Sequence, residues 1–342
     1  MSESTRDPIN STERFKLSNK ELLAEWDIDV NRDPQSIPLD QLDPSHPDLF
    51  EADTMMPYYE RLRKEDPVHY HEETMFGPYW SITKYEDIMH VDTNHKVFSS
   101  DSRRGGISLG GIADPDPDPN FALPMFIQED PPKHDDQRKV IAPMFTPNHL
   151  QTLHHLIRER AVNILDNLPR NEEFNWVKEV SIELTGQMLA TLFDVPQEDR
   201  HKLVYWSDTV QNLGDPEFFE SVEEGFAELW KCWEYFDAVW KERVERNEPG
   251  EDLISMLVHG ESTKDMPPNE YLGNILLLIV GGNDTGFGIH RCVGNRLAEM
   301  QLNIIWEEIM KRFPKIELVG DPKYLRSSFI HGIRELPVII PA

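Results

Sequence analysis

The chain has 342 residues, with 62 Asp and Glu against 34 Lys and Arg, a formal charge of −28 and a pI near 4.8. So acidic a surface excludes a nucleic-acid footprint, which needs clustered positive charge. A hydrophobic content of 39% is too rich for wholesale disorder and is ample for a deep core.

Residues 1 to 50 are polar and dotted with proline, the composition of an N-terminal arm that wraps a surface. A single domain is expected over 51–342. Its first part gives a short helix at YYERLRKE, then two alternating runs, VHYHE and PYWSITKY, that predict a strand pair turning at Gly77 and Pro78. Residues 101 to 120 are rich in Gly, Asp and Pro and predict a long irregular loop. Helical spacing then dominates: 149–168, 176–193, 203–213, 222–244, 269–285 and 295–312. The class is mostly α with a small β part. Two cysteines and no apolar leader fit a reducing cytoplasm, and the longest apolar run, Ile275 to Val280, is too short to span a bilayer.

Cys292 carries the strongest chemical signal. It stands in GFGIHRCVG, beside His290 and Arg291 and just before a helix, where positive charge and a helix N-terminus favour the thiolate. Gly286, Gly288 and Gly294 let the backbone approach a flat or bulky group. The nonapeptide resembles the haem-thiolate loop of the cytochrome P-450 monooxygenases, Phe-Gly-x-Gly-x-His/Arg-x-Cys-x-Gly. The resemblance implies haem b, with the Cys292 thiolate on the iron and Gly286, Gly288, His290 and Gly294 around it. His134 and Arg138 in KHDDQR are spaced i, i+4 and resemble the family's His-x-x-x-Arg pair, which with His290 holds the haem propionates. GGNDT, residues 281–285, is similar to the distal helix, with Asp284 and Thr285 delivering protons.

Flanking sequence, including LLLIVGGNDT, MFIQEDPPKHD and HRCVGNRLAEMQLNIIWEEI, is similar to the bacterial soluble alkane and fatty-acid terminal hydroxylases. This implies hydroxylation of the terminal methyl of a medium-chain aliphatic substrate with O2. Electrons would come from a [2Fe-2S] ferredoxin and its NADH-dependent reductase. Leu123, Met125, Phe126, Leu278 and Gly281 are expected to line the substrate site. Arg291 and Arg296 are expected to meet the acidic ferredoxin.

One departure matters. The family carries a segment on the order of a hundred residues between distal helix and cysteine loop; here Thr285 adjoins Gly286. The seven steps from Thr285 to Cys292 reach at most about 25 Å, almost no slack for rounding a macrocycle. The expectation is a cytochrome P-450 fold truncated at 285/286 that binds haem poorly or not at all and turns over little. The alternative is a non-catalytic helical remnant.

Overall fold

The computed structural model describes residues 18–107, 109, 123–246, 250–281 and 288–342. Its N-terminal stretch does more than wrap. Ser18 and Glu21 form a reciprocal cap on α1 (Asn19–Ala24), and the Asn19 amide donates to the Leu213 and Phe219 carbonyls, pinning the start of the described chain to the loop after α8 (Arg200–Gln211). Helices α2 (Pro47–Glu51) and α3 (Met56–Glu65) follow. Leu42, Leu49 and Leu62 are wholly buried together with Ile37, Phe50, Met55 and Tyr58. Residues 37–50 are therefore core, which corrects the reading of this stretch as surface cover. Its prolines begin the short helical turns that aim these side chains inward.

Strands β1 (Val68–His71) and β2 (Tyr79–Ile82) pair antiparallel, Val68 opposite Ile82 and His71 opposite Tyr79, as the alternation predicts. Gly77 takes the left-handed φ of 79° that the connection needs. Helix α4 (Tyr85–Thr93) comes next.

The main body comprises α5 (Lys133–Ile141), α6 (Pro147–Asp166), α7 (Glu183–Leu192), α8, α9 (Val222–Arg246), α10 (Leu253–His259), α11 (Pro268–Val280) and α12 (Asn295–Arg312). In α6 the buried residues Leu150, Ile157, Ala161, Ile164 and Leu165 make one stripe, and α12 lies along this helix. Helix α11 is apolar on nearly every side and packs against α8 and α9, so it is the central element. A Cβ at Gly273 would sit 2.1 Å from the Pro124 carbonyl oxygen, so the incoming chain crosses α11 at backbone contact. The Phe126 N–H then donates to Asn274 Oδ1 at 2.8 Å and fixes the crossing.

The C-terminal tail adds a sheet that periodicity does not reveal. β3 (Glu173–Asn175) and β4 (Glu317–Leu318) flank β7 (Pro337–Ile339), all antiparallel, while β5 (Lys323–Tyr324) pairs with β6 (Ile333–Glu335). Two- and three-residue strands are too short to show an alternation. Helix α12 also departs from a simple amphipathic pattern. Leu297, Ile304, Ile305 and Ile309 are buried, yet Leu302, Trp306 and Met310 form a second apolar row and are 66%, 63% and 66% exposed. Among the described residues no helix is long and apolar enough to cross a membrane.

Candidate functional site

Three pieces of chain converge: α5, the end of α11, and residues 288–294 leading into α12. The i, i+4 spacing on α5 turns His134 and Arg138 to the same side. His134 is buried, its Nδ1 lies 2.9 Å from Asp135 Oδ1, and its ring meets that of His290 edge-on with centroids 4.5 Å apart. The Arg138 guanidinium donates to the Arg291 carbonyl, tying α5 to the cysteine loop. From the other side the Gly288 N–H donates to Asp92 Oδ2 at 2.8 Å, and a Cβ at Gly288 would fall 2.0 Å from the Asp92 carbonyl oxygen. Only glycine allows that approach. At Gly294 a Cβ would meet nothing closer than Phe145 at 3.6 Å and Cys292 Sγ at 3.8 Å, so this glycine is not forced by contact.

Burial, reinforced by His134 and Arg138, holds the His290 imidazole down to about 4, and burial lowers His134 as well. Both rings are neutral at pH 7. Burial also lowers Arg138, opposed by Cys292 and Asp135, and its guanidinium supplies the positive charge of the cluster. Among the described residues neither ring nitrogen of His290, nor Nε2 of His134, has a hydrogen-bond partner, although all three are buried.

A cavity of 740 Å³ opens from this cluster. Its walls are α7, the last turn of α11 from Leu277 to Gly281, and α12, with Arg138, His290 and Cys292 at one part of the lining. Of the five residues expected at a substrate site, Phe126, Leu278 and Gly281 line this cavity. Leu123 and Met125 do not: the crossing over Gly273 and Asn274 sends Phe126 and Ile127 to the wall instead. Asp284, Thr285 and Gly286 lie outside the described residues. Arg291 and Arg296 are both exposed. Sequence reasoning missed Asp92, which is 196 positions from the glycine it holds, and missed the whole α7 wall. Among the described residues no group of three or more His, Cys, Asp or Glu could hold a metal ion.

Haem places two separate demands on these residues. The end that would hold carboxylates fits, since His134, Arg138 and His290 are adjacent and three of their nitrogens lack partners among the described residues. The thiolate end does not. Cys292 Sγ donates to the carbonyl of Gly281 at 3.3 Å, whereas a flat macrocycle lodged between distal helix and sulfur needs two van der Waals contacts, about 7 Å. In this arrangement the sulfur and the helix that should face it across the ring touch each other directly.

No protein-family profile matches the chain. Among curated proteins it is 23% identical to linalool 8-monooxygenase of Pseudomonas putida, over 88% of this chain and 99% of the relative. It is also 23% identical to steroid C26-monooxygenase of Rhodococcus jostii, over 83% and 82%. Among solved structures, the cytochrome P-450 of group 153 from Novosphingobium aromaticivorans superposes with a TM-score of 0.79 at 30% identity, over 87% of this chain and 99% of the other. CYP153D17 from Sphingomonas sp. superposes with a TM-score of 0.79 at 31%, over 89% and 100%. With the cysteine loop, the helical body and these coverages in agreement, the chain belongs to the cytochrome P-450 family, whose cofactor is haem b with a cysteine thiolate on the iron.

Proposed function

We propose that this chain is an internally shortened member of the soluble alkane and fatty-acid terminal hydroxylases, and that in this form it holds haem poorly or not at all and turns over little. The reaction of its lineage is hydroxylation of a terminal methyl group of a medium-chain alkane or fatty acid with O2, in a reducing cytoplasm. A [2Fe-2S] ferredoxin and its NADH-dependent reductase deliver the electrons, with Arg291 and Arg296 as the docking pair. The likeness to two structures of group 153 supports this branch.

In a chain of full length, Cys292 is the iron ligand, with Gly286, Gly288 and Gly294 shaping its loop. His134, Arg138 and His290 hold the carboxylates of the haem. Asp284 and Thr285 move protons, and Phe126, Leu278 and Gly281 meet the substrate.

The observation that carries the reading for this chain is the 3.3 Å contact of Cys292 Sγ with Gly281. Alignment arithmetic supports it. The match to linalool 8-monooxygenase runs over 407 positions but draws on 88% of 342 residues, about 301, so 407 less 301, about 106 positions, face no residue of this chain. Such a length is that of a small domain. In length alone this is comparable to the segment proposed to be missing between Thr285 and Gly286. The row of exposed apolar residues on α12 is what loss of a covering element would leave.

The deciding measurement is the spectrum of the purified, reduced, CO-treated protein after haem titration. Weak or absent absorbance of the thiolate-haem type is expected; a full-intensity Soret band would overturn the reading. Resequencing of the coding region across Asp284 to Gly286 tests the junction. About a hundred further codons there would show that the shortened chain is not the natural protein.

A further inference from the structure

The 740 Å³ cavity borders on a loop that the start of the described chain holds down. Ser207 and Gln211, on the last turns of α8, line the cavity. Residues 212–221 follow at once and lead into α9. This loop is folded on itself: the Asp215 N–H donates to the Asn212 carbonyl at 3.0 Å, and the Phe219 N–H to the Asp215 carbonyl at 3.0 Å. Leu213 rests on the first turn of α9, where a Cβ at Gly225 would fall 2.5 Å from its Cδ2. Because the loop moves as a unit and continues α8 directly, its displacement pulls on the cavity wall.

The fastening comes from far along the chain. The Asn19 amide donates to the Leu213 carbonyl at 3.0 Å and to the Phe219 carbonyl at 2.9 Å, 194 and 200 positions away, and so bridges the loop near both its ends. The Asn19 N–H adds a bond of 2.8 Å to the Glu220 carbonyl, and Ser18 pairs with Ser221 in an isolated antiparallel bridge. Asn19 is wholly buried. Helix α1 has six residues, too few to persist alone, so these contacts keep it in place.

The seam is incompletely satisfied. Among the described residues Asn19 Oδ1 and Asn212 Oδ1 are buried without a hydrogen-bond partner. Opening the seam would hydrate both acceptors, which offsets part of the cost of breaking the bonds that hold it. Such a contact is built to release.

We propose that Ser18 and Asn19 form a strap over residues 212–221 that sets how fast apolar molecules enter and leave the cavity past Ser207 and Gln211, with Asn19 as a positioning residue. The strap touches the loop and not the cavity lining, so it governs entry and exit together and leaves affinity nearly unchanged. The inference holds whether or not haem occupies the space beside Cys292.

The test is a reversible staple on the full chain. Paired residues in an antiparallel bridge have Cα atoms about 4.5–5.5 Å apart, within the roughly 4.4–6.8 Å that a disulfide spans. Ser18→Cys combined with Ser221→Cys should therefore close on oxidation and reopen with dithiothreitol. Stopped-flow binding of the uncharged dye prodan should show entry and release both about tenfold slower in the oxidised form, the effect of one or two hydrogen bonds. Asn19→Ala should make both about tenfold faster, with Kd in each case unchanged within about twofold. Amide hydrogen exchange of residues 207–211, outside the stapled loop, should slow on oxidation. Equal dye rates before and after reduction, a change of Kd carried by one rate alone, or unchanged exchange over 207–211 would overturn the inference. Hydrogen exchange compares two states of one protein without a dye, and decides the matter even where Asn19→Ala fails to fold. The Soret absorbance of the same samples reports on the proposed function separately.

Discussion

The Cys292 thiol and the Gly281 carbonyl, 11 positions apart, are joined by a hydrogen bond of 3.3 Å that closes the cysteine loop onto the last turn of α11. A sulfur so placed packs against backbone at the edge of the cavity it lines. Replacing Cys292 by Ser keeps a donor in the same position, so the folding free energy should change by no more than about 1 kcal/mol, read from urea midpoints. Any absorbance of added haem should be the same with either residue. A Soret band that moves on Cys292→Ser would show the sulfur to be an iron ligand after all.

Two glycines of the same site should respond in opposite ways to alanine. At Gly288 the new Cβ would lie 2.0 Å from the backbone oxygen of Asp92, which cannot swing aside as a side chain could. Gly288→Ala should destabilise by about 2–3 kcal/mol, the upper part of the usual overpacking cost. At Gly281 the nearest atom is Leu277 Cδ1 at 3.8 Å and φ is an ordinary −70°. Gly281→Ala should be neutral or slightly stabilising. Equal effects in denaturant titrations would contradict this assignment of close approach.

Acid should destabilise the fold through its histidines. Burial, then His134 and Arg138, keep His290 from protonating until about pH 4, while an unfolded chain takes the proton near 6.5. Above 6.5 both states are neutral and the full stability is present. As pH falls through the window from 6.5 to 4, the unfolded chain binds protons that the native chain refuses, and stability drops. His71, held to about 4 chiefly by burial, and His46 and His134, lowered for the same reason, add to the same slope. Urea midpoints should decline between pH 7 and pH 5, and the decline should be smaller in His290→Gln. Parallel pH profiles for the two proteins would refute the assignment to His290.

A buried cation sets a further expectation. Arg243 on α9 is 3% exposed and bonds Asp194 at 3.0 Å and Glu242 at 2.6 Å, with Asp252 at 3.5 Å. Asp252 is itself buried and caps α10 through Ser255. Arg243→Ala would strand that carboxylate and should cost about 3–5 kcal/mol, as breaking one side of a buried pair does. A change in thermal midpoint within the scatter of surface variants would show that water or another group compensates.

Much of the molecule could be read in one dimension. The hairpin of β1 and β2, the bounds of α12 and the i, i+4 pairing of His134 with Arg138 follow from local periodicity, which side-chain direction enforces within a few residues. The core between Ile37 and Phe50 was hidden because its apolar residues are separated by prolines and acids and follow neither period. The sheet of β3, β7 and β4 was hidden because its strands are very short and joined from distant parts of the chain.

The sequence by itself determined the chemistry on offer: a thiol in a glycine-rich loop, an imidazole and guanidinium pair, an apolar central helix, and a limit of about 25 Å on how far Cys292 can stand from Thr285. Where the sulfur rests within that reach is not a local property. The tertiary structure set its neighbour among the described residues, by clamping Gly288 to Asp92 and Arg138 to the Arg291 carbonyl and leaving Cys292 against Gly281. Chain length bounds a reach from above, but only the packing of α4, α5 and α11 around the loop fixes which atoms the sulfur meets.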